Sequence, residues 1–97
     1  MEKYLIELTE EKNRLFREIE EAKKVLKKIN TEDSLIEKID NNLNYINNLA
    51  EMILNNKEDE IKLNSALLLF LEEYEGKAKE ITEIIDSEFE RIKYLNK

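Results

Sequence analysis

The sequence predicts an all-α protein of three long antiparallel helices, on three observations. One Gly and no Pro among 97 residues leave little from which to build tight hairpin turns, which also argues against an all-β fold. Charged residues make up 40% and apolar residues 41% of the chain, the mixture of long amphipathic helices. Apolar positions recur at steps of three and four through most of the chain, and the phase of that pattern breaks at two places.

The first helix is expected over about residues 2–29. Leu5, Leu8, Leu15, Ile19, Ala22, Leu26 and Ile29 step by threes and fours, with Lys12 as the one polar interruption, which is the spacing of a bundle seam. Phe16 and Val25 widen the seam enough to meet more than one neighbouring helix. Glu dominates the first half, and Lys23, Lys24, Lys27 and Lys28 close the segment, an order that complements the helix dipole. Glu20 and Lys24 stand at the favourable i, i+4 spacing. Thr9, followed by Glu10 and Glu11, also reads as an N-cap and offers a later start.

Asn30 to Asp33 is the first boundary, where Asn30 can end a helix in the left-handed region and Thr31 can cap the next. A second helix over about 32–54 follows from Ile36, Ile39, Leu43, Ile46, Ala50 and Ile53. This seam is out of phase with the first, so the chain doubles back. Five Asn residues between 41 and 48 are poor helix formers and place a hydrogen-bonding strip on its outer side, so packing must hold this segment.

Asn55 and Asn56 repeat the boundary chemistry, with Asn56 as the expected N-cap of a third helix over about 57–95. Leu67, Leu71, Tyr74, Ala78, Ile81, Ile85, Phe89, Ile92 and Leu95 carry it straight through Gly76. An interior Gly costs about 1 kcal/mol against Ala, and no capping residue stands near enough to restart a helix at 77. A break at Gly76, giving a fourth helix, is the alternative. The whole chain, 1–97, reads as one helical domain. Its mass of 11.6 kDa scales to roughly 5,800 Å² of folded surface.

At 1.5 Å per residue the helices span about 42, 36 and 58 Å, so they do not match, and a closed monomer leaves apolar positions of the third helix for a second chain to cover. Residues 67–71 are apolar all round the helix, which makes Leu68, Leu69 and Phe70 candidates for an interface, with Tyr45 and Tyr94 as amphipathic anchors beside the second and third seams.

Charge is concentrated. Residues 58–90 hold 11 acidic and 3 basic residues, and Glu80, Glu83, Asp86 and Glu90 form a candidate acidic face. A solvated helix surface accounts for it. The functional alternative is docking of carboxylates on a basic, nucleic-acid-binding surface of a target enzyme. Direct nucleic-acid binding is disfavoured, because phosphate neutralisation needs a dense cationic footprint. The Lys cluster at 23–28 has a simpler cause at a helix C-terminus than a membrane surface.

The chain has no His and no Cys, which removes the imidazole base, thiolate chemistry and the usual zinc ligands. No Glu-x-x-His pair and no calcium-loop spacing are present. No catalytic, cofactor or metal residue is assigned, and the protein is not expected to be an enzyme. Residues 1–11 lack the pattern of a signal peptide, and the longest apolar run is residues 66–71 where a bilayer span needs about 20, so a cytoplasmic protein away from membranes is expected.

Tyr74, Glu75 and Gly76 resemble the W-x-G turn of the WXG100 family, acidic, Cys-poor helical hairpins exported by a dedicated secretion system. That resemblance implies a small secreted hairpin turning at Gly76. It covers three residues, Tyr replaces Trp, and Tyr94 is followed by no acidic residue, so no residue role is carried over. The reading of the residues themselves is a non-enzymatic protein–protein interaction module, an adaptor, scaffold or accessory subunit, that works through helical packing as a homo-oligomer.

Overall fold

The computed structural model describes residues 2–95 as three helices, α1 (Glu2–Lys28), α2 (Asp33–Asn55) and α3 (Glu60–Leu95), with no strand among the described residues. The first two boundaries fall within one residue of the sequence reading. The third helix begins three residues later, and it runs unbroken through Gly76, so neither a fourth helix nor the turn implied by the WXG100 resemblance forms there.

The loops explain the boundaries. Asn30 adopts φ 59°, and the amides of Asn30 and Thr31 donate to the carbonyls of Lys27 and Leu26 at 3.2 and 3.0 Å. This is a Schellman closure, in which a left-handed Asn lets the chain turn back to satisfy the last open carbonyls. Thr31 does not cap α2. Its hydroxyl is turned inward, and Glu32 holds the N-cap position without a side-chain hydrogen bond. Asn56 likewise ends α2 instead of starting α3: its amide donates to Ile53 and its side chain to the Met52 carbonyl at 2.7 Å. Asp59 caps α3 by accepting from the Lys62 amide at 3.1 Å. Thr9 lies inside α1 and donates to the Leu5 carbonyl, so the later start is not used.

Cross-helix contacts set the directions. Lys12 donates to Asn47 at 3.2 Å and Lys23 pairs with Asp40, so α1 and α2 are antiparallel. Asn42 donates to Glu80 at 2.9 Å, and Arg91 reaches the Ile29 carbonyl, which turns α3 antiparallel to α2 and parallel to α1. The core takes Ile19 and Leu26 from α1, five aliphatics of α2 from Ile39 to Ile53, and Leu63, Ala66, Leu67, Phe70 and Ile81 from α3. Fully burying each of the Leu, Ile and Phe side chains among them contributes about 1.5–3 kcal/mol. The α1 seam is less deep: Leu5, Leu8, Leu15 and Ile29 are only half-buried. Consistent with that, α2 and α3 pack closely on each other and α1 lies more loosely over both.

The result is a rod of 55 × 21 × 16 Å whose long dimension α3 spans by itself, since its 36 residues rise about 54 Å. The radius of gyration is 15.9 Å, against about 12.5 Å for a round domain of this length.

Candidate interaction surfaces

The five residues singled out as an interface do not form one patch. Leu68 is 61% exposed on the outer side of α3, while Leu69 is partly buried against the core. Phe70 is a correction: at 2% exposure it belongs to the protein's own interior, stacked on Tyr74 with ring centroids 5.1 Å apart. An all-round apolar stretch still has one inward line, and Leu63, Leu67, Phe70 and Tyr74 occupy it at helical spacing. Tyr45 is half-exposed on α2 with the Lys77 ammonium 4.9 Å above its ring, a cation–π contact that ties α2 to α3. Tyr94 is exposed near the far end of α3, about 39 Å along the helix from Leu68.

Glu80, Glu83, Asp86 and Glu90 are all exposed on α3. Glu80 is held by Asn42, and with Glu83 it borders an open groove between α2 and α3 that also presents Lys38, Asn41 and Ser87. The Asn strip of α2 therefore serves in part as a cross-helix hydrogen-bond donor. The Lys cluster of α1 is also partly engaged. Lys23 pairs with Asp40 and Glu20, and hydrogen bonding to Asp40 raises its pKa above 10.5 although burial pulls the other way. Lys24 pairs with Glu21 at i, i+3, in place of the expected Glu20–Lys24 contact.

Sequence reasoning missed the polar cluster at the other end of the rod. Glu88 is buried, and Arg91 donates to both of its carboxylate oxygens at 3.1–3.3 Å. The same guanidinium donates to the Ile29 carbonyl at 3.1 Å. Hydrogen bonding from Arg91 holds the Glu88 carboxyl below the usual range against the opposing effect of burial, and the neighbouring Thr31 hydroxyl adds to it. That hydroxyl is sealed from solvent without a hydrogen-bond partner of good geometry. A signal was present: Leu67, Tyr74 and Ile81 repeat every seven residues, and the next member of that inward line is Glu88. In the middle of the rod Tyr74 titrates above 10, first because it is buried and then because Glu11 lies near.

The apolar side chains that do face outward are mostly different from those expected. Ile61 is 80% exposed, Ile6 58% and Leu54 52%, and Tyr4, Val25, Met52, Leu71 and Phe89 are each exposed by about two-fifths to one-half. Ile6 and Leu54 flank one shallow groove where α1 begins and α2 ends. Leu8, Phe70, Leu71, Tyr74 and Ala78 floor another, between α1 and α3, with Glu11 and Glu75 on its rims.

Among the described residues no group of three or more acidic side chains is placed to hold a metal ion, and no helix is long and apolar enough to cross a membrane. Comparison of the chain with protein-family models, with curated proteins and with solved structures gives no match. What the fold and surfaces define is a rod of three helices with apolar grooves on either side of its most loosely packed helix.

Proposed function

We propose that this protein is a non-enzymatic interaction module, an adaptor, scaffold or accessory subunit, that works by helical packing and associates with itself. One observation carries the reading. The chain exposes 7032 Å², about 1,200 Å² more than the roughly 5,800 Å² expected of a compact protein of its mass, and large aliphatic and aromatic side chains from all three helices are part of it. A standard interface covers about 800 Å² on each partner, so one partner of ordinary size would bring the surface back toward that of a folded protein.

Sedimentation equilibrium of the whole chain tests this. A particle of twice 11.6 kDa at tens of micromolar supports self-association, and a strictly monomeric one at that concentration removes it.

A second reading is favoured by the exposure of all four carboxylates of the acidic face. Docked on a basic cleft, Glu80, Glu83, Asp86 and Glu90 would occupy positions that a nucleic-acid backbone takes. It requires salt-sensitive binding to a basic protein, and affinity that is unchanged when three of the four are reversed to Lys disposes of it.

A further inference from the structure

We propose that the outer seam between α1 and α3 is a dimer interface whose occupant is a second copy of this chain, lying antiparallel across it about a two-fold axis near Arg17 and Glu18. The inference rests on the self-association reading and names the surface, the partner and the register.

The seam carries an apolar knob at one end and an apolar groove at the other. Leu8 and Glu11 of α1 line one groove with Leu71, Tyr74 and Ala78 of α3, and Glu18 lies seven residues beyond Glu11 on the same line of α1. Seven residues beyond Glu18 on that line is Val25, which is 43% exposed. On α3 Leu71 and Ala78 face α1 across that groove, Ile85 continues their line by helical spacing, and Phe89, also 43% exposed, stands one turn further along. The Arg91 contact to the Ile29 carbonyl fixes the register, bringing Phe89 level with the last turn of α1 within about one helical turn of Val25. Val25 and Phe89 thus form an apolar rise at one end, and Leu8, Leu71 and Tyr74 floor the groove at the other. Rotation by 180° about the middle of α1 superposes the rise of each copy on the groove of the other, twice, as an isologous interface demands.

Charge selects the same arrangement. Exposed charged residues climb the outer side of α1 in steps of three and four, from Glu7 and Glu10 at the start, through Arg14, Arg17 and Glu21, to Lys24 and Lys28 at the end. In the antiparallel register Glu7 meets Lys28 of the second copy, Glu10 comes beside its Lys24 and Arg14 meets its Glu21, while Arg17 lies at the axis between Arg17 and Glu18 of the second copy. A parallel pairing sets Glu7 against Glu7 and Lys28 against Lys28, so the row admits one direction and opposes the other. The area needed, about 800 Å² per chain, lies within the surplus surface that the rod exposes.

The test is sedimentation equilibrium of the full chain and of two charge reversals at exposed positions, K24E/K28E and E7K/E10K, with circular dichroism to verify that each stays helical. The wild-type chain dimerises, each double variant alone dimerises at least about tenfold more weakly because like charges now face each other, and an equimolar mixture of the two recovers the wild-type affinity as a heterodimer. A wild-type dimer indifferent to both reversals, or weakened variants that the mixture does not rescue, overturns this interface and leaves self-association standing. A wild-type chain that is monomeric at tens of micromolar overturns both.

Discussion

The Arg91 guanidinium donates to the Ile29 carbonyl at 3.1 Å across a sequence separation of 62 residues, while the same side chain grips the buried carboxylate of Glu88. One residue near the end of α3 thereby closes the turn between α1 and α2.

Arg91→Ala is expected to destabilise the fold by about 2 kcal/mol, since it strands a buried carboxylate and leaves a carbonyl without its donor, while partial exposure of Arg91 moderates the loss. The check is the urea midpoint at constant slope. Arg91→Lys should recover only part of the loss, because one ammonium lacks the fork that serves two acceptors.

Glu88 gives this end of the rod a pH dependence of known sign. Its pKa is lowered from 4.5 in the folded chain, so the unfolded chain binds the proton first as acid is added. The stability Glu88 contributes is present above pH 4.5 and is lost as pH falls through the folded value. The stability difference between the wild type and Glu88→Gln, measured by denaturation across pH, should therefore narrow below 4.5. Lys23 acts at the alkaline side: its raised pKa means that the contribution of its pair with Asp40 is full below 10.5 and is lost as pH climbs through the folded value.

Core and surface positions on α3 should separate cleanly. Ile81→Ala, at 0% exposure, should cost about 3 kcal/mol by transfer and cavity formation, whereas Leu68→Ala should stay within about 0.5 kcal/mol. Phe70→Asp is expected to abolish folding and so reports on the core, not on association. Thermal melts of the three variants decide this.

Gly76→Ala should stabilise the protein by about 1 kcal/mol, a rise in melting temperature of about 4–8 °C. The added methyl meets nothing within 4 Å, and the backbone there is already helical. An unchanged or lower melting temperature would show that the helix does not run through this position in solution.

The second helix was the most legible because its seam repeats faithfully, whereas Leu71, Phe89 and Leu95 of the third seam remain exposed. Ile39, Leu43, Ile46 and Ile53 were placed inward by spacing alone, and all are buried. The missing cap for a restart at 77 predicted the continuity of α3. The capping assignments at Thr31 and Asn56 were less legible, because residues of equal capping chemistry crowd each boundary and tertiary contacts choose among them. Thr31 is drawn inward beside Glu88, and Asn56 closes the helix before it. The surface was hardest to read. A run such as residues 67–71 says that some apolar side chain must face out, but only the positions of α1 and α2 decide that Phe70 goes in and Leu68 stays out.

The unequal grip between the helices has a consequence for how the molecule comes together and comes apart. The α2–α3 hairpin brings its own interlocking aliphatics and joins segments adjacent in sequence, so it closes early at small entropic cost. The first helix then settles on a scaffold already made. Amide protons of α1 should accordingly exchange with deuterium well before those around Ile46 and Ile81, by partial openings in which the leading helix lifts away and the hairpin survives.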